Sequence, residues 1–304
     1  MAAGVTTTGN TPKLLWPGLA ALFGTEYNDL PMQSARIFEQ RTSDKLYEEV
    51  QELAGYGLAS VKSEAGAITY TSSVQGPTTR FTNVVYGLGF QETEESVEDN
   101  LYKSRATDKT AYLARSMKHT RETVLANILN RAFNSSYLGG DGVRLVSASH
   151  TTVNGTQSNT LTADADLSEA SIEDMMINIM NATDSTGLHM AFMPKDLIVA
   201  PNEAFNAARI LKSTHQSDTA NNAINAMRTL GVLQNDPIVW PFLTDTDAWF
   251  VKTDAPKSLI VFNRRAAKLE KDSDFDTGNY KHKATERYVG GWGDWRGLYG
   301  SAGA

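Results

Sequence analysis

The sequence predicts an α+β fold in which one very long helix carries strands from both ends of the chain and a compact α/β unit is inserted between them. Three observations carry this reading. Residues 95–134 contain no proline and no glycine. β-Branched and aromatic residues gather just before that stretch and again near the C-terminus. Between them, strand, turn and helix patterns alternate.

Composition sets the bounds. The chain has 304 residues, 41% hydrophobic and 21% charged, with a net charge of −7 and no cysteine. That is ordinary globular composition, long enough for one large core or two smaller ones. Without cysteine there is no disulfide framework, thiol nucleophile or zinc–thiolate site. The acidic balance lacks the basic excess of a typical nucleic-acid binder. No apolar run is long enough to span a bilayer. The start, "MAAGVTTTGNTPK", lacks the basic and apolar regions of a secretory signal. The expectation is a protein that stays in the cytosol.

Residues 1 to about 30 read as an irregular arm. "LLWPGLAALFG" is apolar but broken by Pro17 and Gly18, which suits a patch that docks onto something. Ser34 to Gly55 reads as a helix or helix pair. "AITYTSSVQGPTTRFTNVVYG", Ala67–Gly87, reads as a hairpin turning at Gly76-Pro77. Neither face of it is apolar enough for a buried sheet, and a lone hairpin is marginal in water. It leans either on its own core or on a neighbouring element or subunit.

The helix over 95–134 opens with Glu95, Glu98 and Asp99 and closes with Arg131, as its dipole favours. Tyr102, Leu113 and Val124 are eleven apart, as are Ala106, Met117 and Ile128. That period is close to three natural turns, so the stripe stays on one side of a straight helix. The remaining positions, among them Lys103, Lys118, Arg121 and Glu122, read as a mixed-charge surface. Residues 135–165 are loop-rich. "LSEASIEDMMINIMNATD" reads as a capped helix with Ile172, Met175, Met176, Ile179 and Met180 on its apolar face. "KDLIVAPNEAFNAARILKS" reads as strand, turn and helix, and short strands follow at Ile238–Trp240, Ala248–Lys252 and Leu259–Phe262.

The chemistry-bearing residues form no convincing active site. His119, His150, His189, His215 and His282 never pair at helical metal-ligand spacing. There is no G-x-S-x-G and no Gly-Lys dipeptide. "DSDFDTG", Asp272–Gly278, imitates a calcium loop, but its glycine is one place late and Lys283 stands where glutamate belongs. It reads as a solvated turn, as does the Asp245/Asp247 pair. "ERYVGGWGDWRGLYGS", Glu286–Ser301, begins a G-x-G but places its next glycine at Gly297, and no helix follows. A terminal strand with packing aromatics fits it better than a phosphate loop.

The order of parts, together with "EAGAITYTSSVQGPTTRFTNVVYGLGFQETEESVED", "LNRAF", "DGVRLVSASHTTVNGTQSN", "LIVAP", "LTDTDAWF" and "YKHKATERYVGGWGDWRGLYGS", resembles the major capsid proteins of tailed bacteriophages. The phage Mu-like head subunits are the near relatives, and the fold implied is the Hong Kong 97 capsid fold. The likeness runs from about Asp44 to Ser301. It implies an N-arm at 1–50, an E-loop hairpin at 62–92 and a peripheral domain at 93–164 and 261–304 with its spine helix at 95–134. It implies an axial domain at 165–260. It further implies pentamers and hexamers that close an icosahedral shell around double-stranded DNA, assembled in the host bacterial cytoplasm and ending in the virion. The partners implied are portal and scaffolding proteins, with a decoration protein as an option. Neither enzyme activity nor a cofactor is expected. Candidate contacts between subunits are Trp16, Leu22 and Phe23 in the arm, and Val74, Gln75, Thr79 and Arg80 in the hairpin. Arg105 and Lys109 on the helix, and Trp292 and Trp295 near the end, complete the set. Lys62 lies at the base of the expected hairpin, so the crosslink some members form is not carried over. The alternatives are an encapsulin-like compartment shell and a nucleotide-binding enzyme using Gly290–Gly297.

Overall fold

The computed structural model describes residues 16–53, 55–70, 72, 75–98, 102–215, 224–233, 235–274 and 276–304. Helix α1 spans Trp16–Asp29. This corrects the irregular arm expected there. Pro17 stands in the first turn, where a missing N–H costs nothing, so it starts the helix. Leu19 and Phe23 bury one face of α1.

The helix expected over Ser34–Gly55 is also corrected. Only α2, Ser34–Ile37, is helical, followed by strands β1 (Glu39–Thr42) and β2 (Tyr47–Leu53). The hairpin expected at Ala67–Gly87 is replaced by a different pairing. Strand β3, Gln75–Thr82, runs antiparallel to β2, with Tyr47 opposite Thr82 and Gln51 opposite Thr78. Gly76 and Pro77 lie within β3 instead of turning the chain. A proline is tolerated on the open edge of a two-stranded ribbon, where its missing N–H breaks no ladder. Strand β4, Val84–Glu92, leaves the ribbon at Asn83 and joins another sheet. Asn83 is buried, and its amide donates to Ser43 Oγ (2.9 Å) and to the Lys45 carbonyl (3.0 Å). That fixes the corner.

The expected helix at 95–134 is seen as α3, Glu94–Glu98, and α4, Tyr102–Asn130. At 1.5 Å per residue α4 is about 44 Å long. It gives way before Asn134 to tighter turns, with the Ala132 N–H on the Leu129 carbonyl and the Asn134 N–H on the Arg131 carbonyl, while the Asn130 side chain donates to the Phe242 carbonyl and accepts from the Thr244 N–H. The predicted stripe packs as expected where it is described: Ala106, Leu113 and Met117 are buried, and Val124 and Ile128 lie partly buried against the core. The mixed-charge reading is corrected at Lys118, Arg121 and Glu122, which are all buried.

A small hairpin of β5 (His150–Thr152) and β6 (Gly155–Gln157) follows. Helix α5, Glu169–Met180, begins with a reciprocal capping box between Ser168 and Ser171. It buries Ile172, Met175, Met176 and Ile179 and leaves Met180 exposed. Next come β7 (Pro194–Val199), α6 (Ala204–Lys212), α7 (Ala226–Leu230), β8 (Ile238–Val239) and β9 (Trp249–Thr253). The chain then makes two long strands, β10 (Leu259–Ser273) and β11 (Tyr280–Trp292), and ends in β12 (Leu298–Ser301).

Two four-stranded sheets result, in the orders β1-β10-β11-β4 and β12-β9-β7-β8. The first lies on α4. The second is sandwiched among α5, α6 and α7 through Leu197, Val199, Trp249 and Val251. The resemblance implies that the C-terminal strands rejoin the spine's sheet: β11 does so, while β12 crosses to pair with β9, Tyr299 opposite Val251. The last strand therefore stitches the two halves together.

Candidate assembly interface

Three buried polar clusters make one body of these elements. In the first, Arg121 of α4 donates to Glu286 of β11, to Asn263 of β10 (2.6 Å) and to Gln40 of β1 (3.1 Å). Its guanidinium lies 4.8 Å from the centre of the Tyr288 ring. Tyr27 of α1 donates to the other oxygen of Glu286 at 3.0 Å. Burial, and then the Glu286 charge, push the Tyr27 hydroxyl well above the usual phenol range. Burial, and then Arg121, push the Lys118 ammonium down. In the second cluster Glu122 accepts from Ser34 Oγ (2.6 Å) and from the Trp240 indole (2.7 Å).

The third cluster is built from the segment "DGVRLVSASHTTVNGTQSN". His150 lies between Asp141 Oδ2, 2.6 Å from Nδ1, and Asn159 Oδ1, 3.1 Å from Nε2. The Asn159 amide donates to the carbonyls of Leu145, Trp295 and Leu298. The His150 ring stacks on Trp295 at 4.1 Å and 5°. An Asp–His–Asn row resembles a catalytic relay, but both ring nitrogens of His150 are taken by Asp141 and Asn159, and the row joins the excursion to the C-terminus. Beside it Arg296, 2% exposed, donates to Glu52 (3.0 Å), Asp294, Gln157 and the Thr183 carbonyl. Ser185 also donates to Glu52. Burial raises the Asp294 carboxyl, against the pull of Arg296.

Glu52 belongs to the β2–β3 ribbon, so this cluster clamps the ribbon's root. Val50 and Phe81 add an apolar anchor on Ile260 and Phe262, with the Phe81 and Phe262 rings edge to face at 5.3 Å. Beyond the root, residues 55–70 form neither helix nor strand. They hold out Leu58, Val61 and Tyr70 at 85%, 100% and 92% exposure. Large side chains this bare in one segment mark a contact surface.

The glycines of "GGWGDWRG" have a packing role. A Cβ on Gly290 would run into Leu125 of α4, and one on Gly297 would overlap Ser258. Glycine at 290 lets the sheet sit close against α4, and glycine at 297 lets the last turn sit on Ser258. Among the described residues no group of three His, Cys, Asp or Glu side chains is arranged to hold a metal ion, and no helix is long and apolar enough to cross a membrane. Asp245 accepts the Asp247 and Ala248 N–H groups within its own turn.

The sequence-predicted contact residues fall into two groups. Gln75 and Arg80 stand exposed on the ribbon, Arg80 paired with Glu49 (2.8 Å) and lying over the Tyr47 ring. Thr79 is half-buried. Lys109 is half-exposed and pairs with Glu92 at 2.6 Å. Leu22 and Trp292 are half-buried. Phe23 and Trp295, by contrast, are buried inside the chain, against Leu113 and Met117 in one case and His150 in the other. Trp16 opens α1 and Arg105 lies in α4. Val74 lies outside the described residues. The clusters around Arg121, Glu122, His150 and Arg296 were not anticipated. Adjacent charges in line with an apolar stripe, as at Arg121-Glu122, are the one signal that points to them.

Residues 76–301 match the family model described as phage capsid protein. No curated protein sequence matches. Among solved structures, the chain is similar to a virus-like particle from Pyrococcus furiosus, with a TM-score of 0.55 and 12% identity over 94% of this chain and 98% of that one. It is also similar to a chain of Microbacterium phage Oxtober96, with a TM-score of 0.52 and 10% identity over 90% of each. A chain of Mycobacterium phage Cain gives a TM-score of 0.51 and 10% identity over 95% of this chain and 93% of that one. The fold is the Hong Kong 97-type capsid fold, α+β, with a long helix under an extended sheet. With that sequence match over most of its length, the chain belongs to the phage capsid protein family.

Proposed function

We propose that the chain is the major shell subunit of a tailed phage with Mu-like head proteins as kin. It assembles through pentamers and hexamers into an icosahedral capsid around double-stranded DNA, in the host bacterial cytoplasm. It works with a portal and a scaffolding protein, and its role is structural, not catalytic. The ribbon carries this reading. Its root is clamped by Arg296 and by the Phe81 contact, while residues 55–70 offer Tyr56, Leu58, Val61, Ile68 and Tyr70 to solvent. A second copy of the chain covers them, so the ribbon from 47 to 82 takes the E-loop role. Stability is then tied to assembly, because binding a neighbour stabilises only the folded, ordered state.

A compartment shell that packages protein cargo is the second reading, favoured by the similarity to the Pyrococcus furiosus particle. Nucleic-acid content of particles purified from phage-infected cells separates the two.

Electron microscopy of the full chain, expressed with its scaffold, tests the proposal. Hollow particles are expected from the wild type. A variant with Leu58–Ile68 replaced by a short Gly-Ser turn keeps β2 and β3 and is expected to give soluble subunits with unchanged circular dichroism and no shells. Monomers alone from the wild type under assembly conditions overturn the shell reading. Normal shells from the variant overturn the role given to the ribbon.

A further inference from the structure

The sheet β1-β10-β11-β4 has two faces. One, carrying Ala284, Glu286 and Tyr288, is covered by α1 and α4. Among the described residues the other is covered at its Phe262, Val289 and Gly291 end, where Val50 and Phe81 sit. The next cross-strand row on that face is Arg265, Arg287 and Val85. Two arginines in direct register repel one another, and such a pair destabilises a sheet unless an anion joins it. The register slips on both sides of Arg265. The first bulge sets Arg264 and Arg265 together opposite the single Arg287, and bulges re-aim side chains in this way.

None of the three arginine side chains has a hydrogen bond or ion pair with a described residue. Arg264 Nη1 and Arg287 Nε are buried and unpartnered. Buried guanidinium N–H groups without acceptors are costly. The rows that follow add Lys268, Lys283 and Lys281. Glu270 pairs with the first two and Asp274 with Lys281, and Asp272 is the remaining acid there, so the acids do not reach the three arginines. On β4 these rows lie beside Gly87 and Gly89, where a Cβ would crowd Thr285 and the His282 carbonyl of β11, so β4 adds no side chain to these two rows. In a chain of net charge −7, this bare face is a local excess of cation.

We infer that this face docks an acidic segment of a second copy of the chain, whose carboxylates complete the Arg264–Arg265–Arg287 cluster. Guanidinium forks match carboxylates two bonds at a time. Surface carboxylates are plentiful on the same chain, with Glu94 and Glu95 exposed at the start of α3. The face also presents Val85, 53% exposed, and acids of its own, which suits a protein surface better than a phosphate backbone. The inference rests on the shell reading, since it needs copies that abut.

Arg287→Glu separates this from a purely structural role. It turns a repelling pair into an attracting one, so the subunit's melting temperature is expected to rise while assembly is lost. Arg265→Glu, at an exposed position, repeats the test where folding is not at stake. Carbodiimide coupling of shells grown from mixed ¹⁴N and ¹⁵N chains is expected to join Lys268, Lys281 or Lys283 to a carboxylate of the other isotope. Shells that persist with Arg265→Glu, or crosslinks confined to one isotope, overturn the inference. So does a variant whose shells stay intact but lose bound nucleic acid. A wild type that forms no particles instead defeats the shell reading.

Discussion

Glu286 shows how a charge inside this protein becomes a structural part. It is 1% exposed, it receives Arg121, and it accepts the Tyr27 hydroxyl, so three elements share one carboxylate. Removing one partner of such a pair strands the other. Glu286→Ala is therefore expected to cost about 3–5 kcal/mol, read as a fall in the urea midpoint of the unassembled subunit. A loss below about 1 kcal/mol, typical of an exposed pair, refutes the buried role. His282 gives a pH signature. Burial, and then Lys271, hold its imidazole below the ordinary histidine value of about 6.5. Unfolded, it takes up a proton near that value; folded, it resists until lower pH. Stability is thus full above the ordinary value and declines as pH falls from there to the depressed value. The urea midpoint of the wild type is expected to drop on mild acidification, and His282→Gln is expected to drop less. Parallel profiles for the two refute the assignment.

Elements were legible where one periodicity ruled and a single partner was needed. The stripe Ala106, Leu113, Met117 gave α4 its face, and Ser168 with the apolar run behind it gave α5 its start. They were misread where pairing at a distance overrode local preference. "YEEVQEL" has helix formers, yet it becomes β2 because Val50 is buried with Phe81 across the ribbon. Gly76-Pro77 looked like a turn because the residues paired with β3 lie 22 to 35 positions earlier in the chain, beyond any local window. Pro17 looked like a breaker because its position relative to the helix start decides its effect. The interface was half legible. An exposed ribbon rich in Tyr, Leu and Ile is visible in sequence as apolar residues without a face. The arginine cluster is not, since it exists only through the register of β10 on β11 and its bulges.

At the scale of the whole molecule, order is graded from the spine outward. Leu125, Ala126 and Leu129 are fully buried in the largest core, with Ile198, Trp240 and Val261 packed around them. The ribbon root is held by a smaller core and the Arg296 clamp. Residues 55–70 have few hydrogen bonds of their own, among them the Gly66 N–H to the Ser63 carbonyl and a Ser60–Thr69 contact. Opening free energy follows burial and hydrogen bonding, so amide exchange reads this gradient directly. In free subunits, amides of 55–70 are expected to exchange at once, those of β2 and β3 at intermediate rates, and those of α4 around Leu125 slowest. In assembled particles the 55–70 amides are expected to gain protection while α4 stays as before. Protection that rises equally everywhere indicates general tightening of the subunit, and slow exchange of 55–70 already in the free subunit places that segment on its own core. Either pattern removes the reason for assigning it to a neighbour, because a segment left open by its own chain and closed by the next copy is what couples folding to the shell.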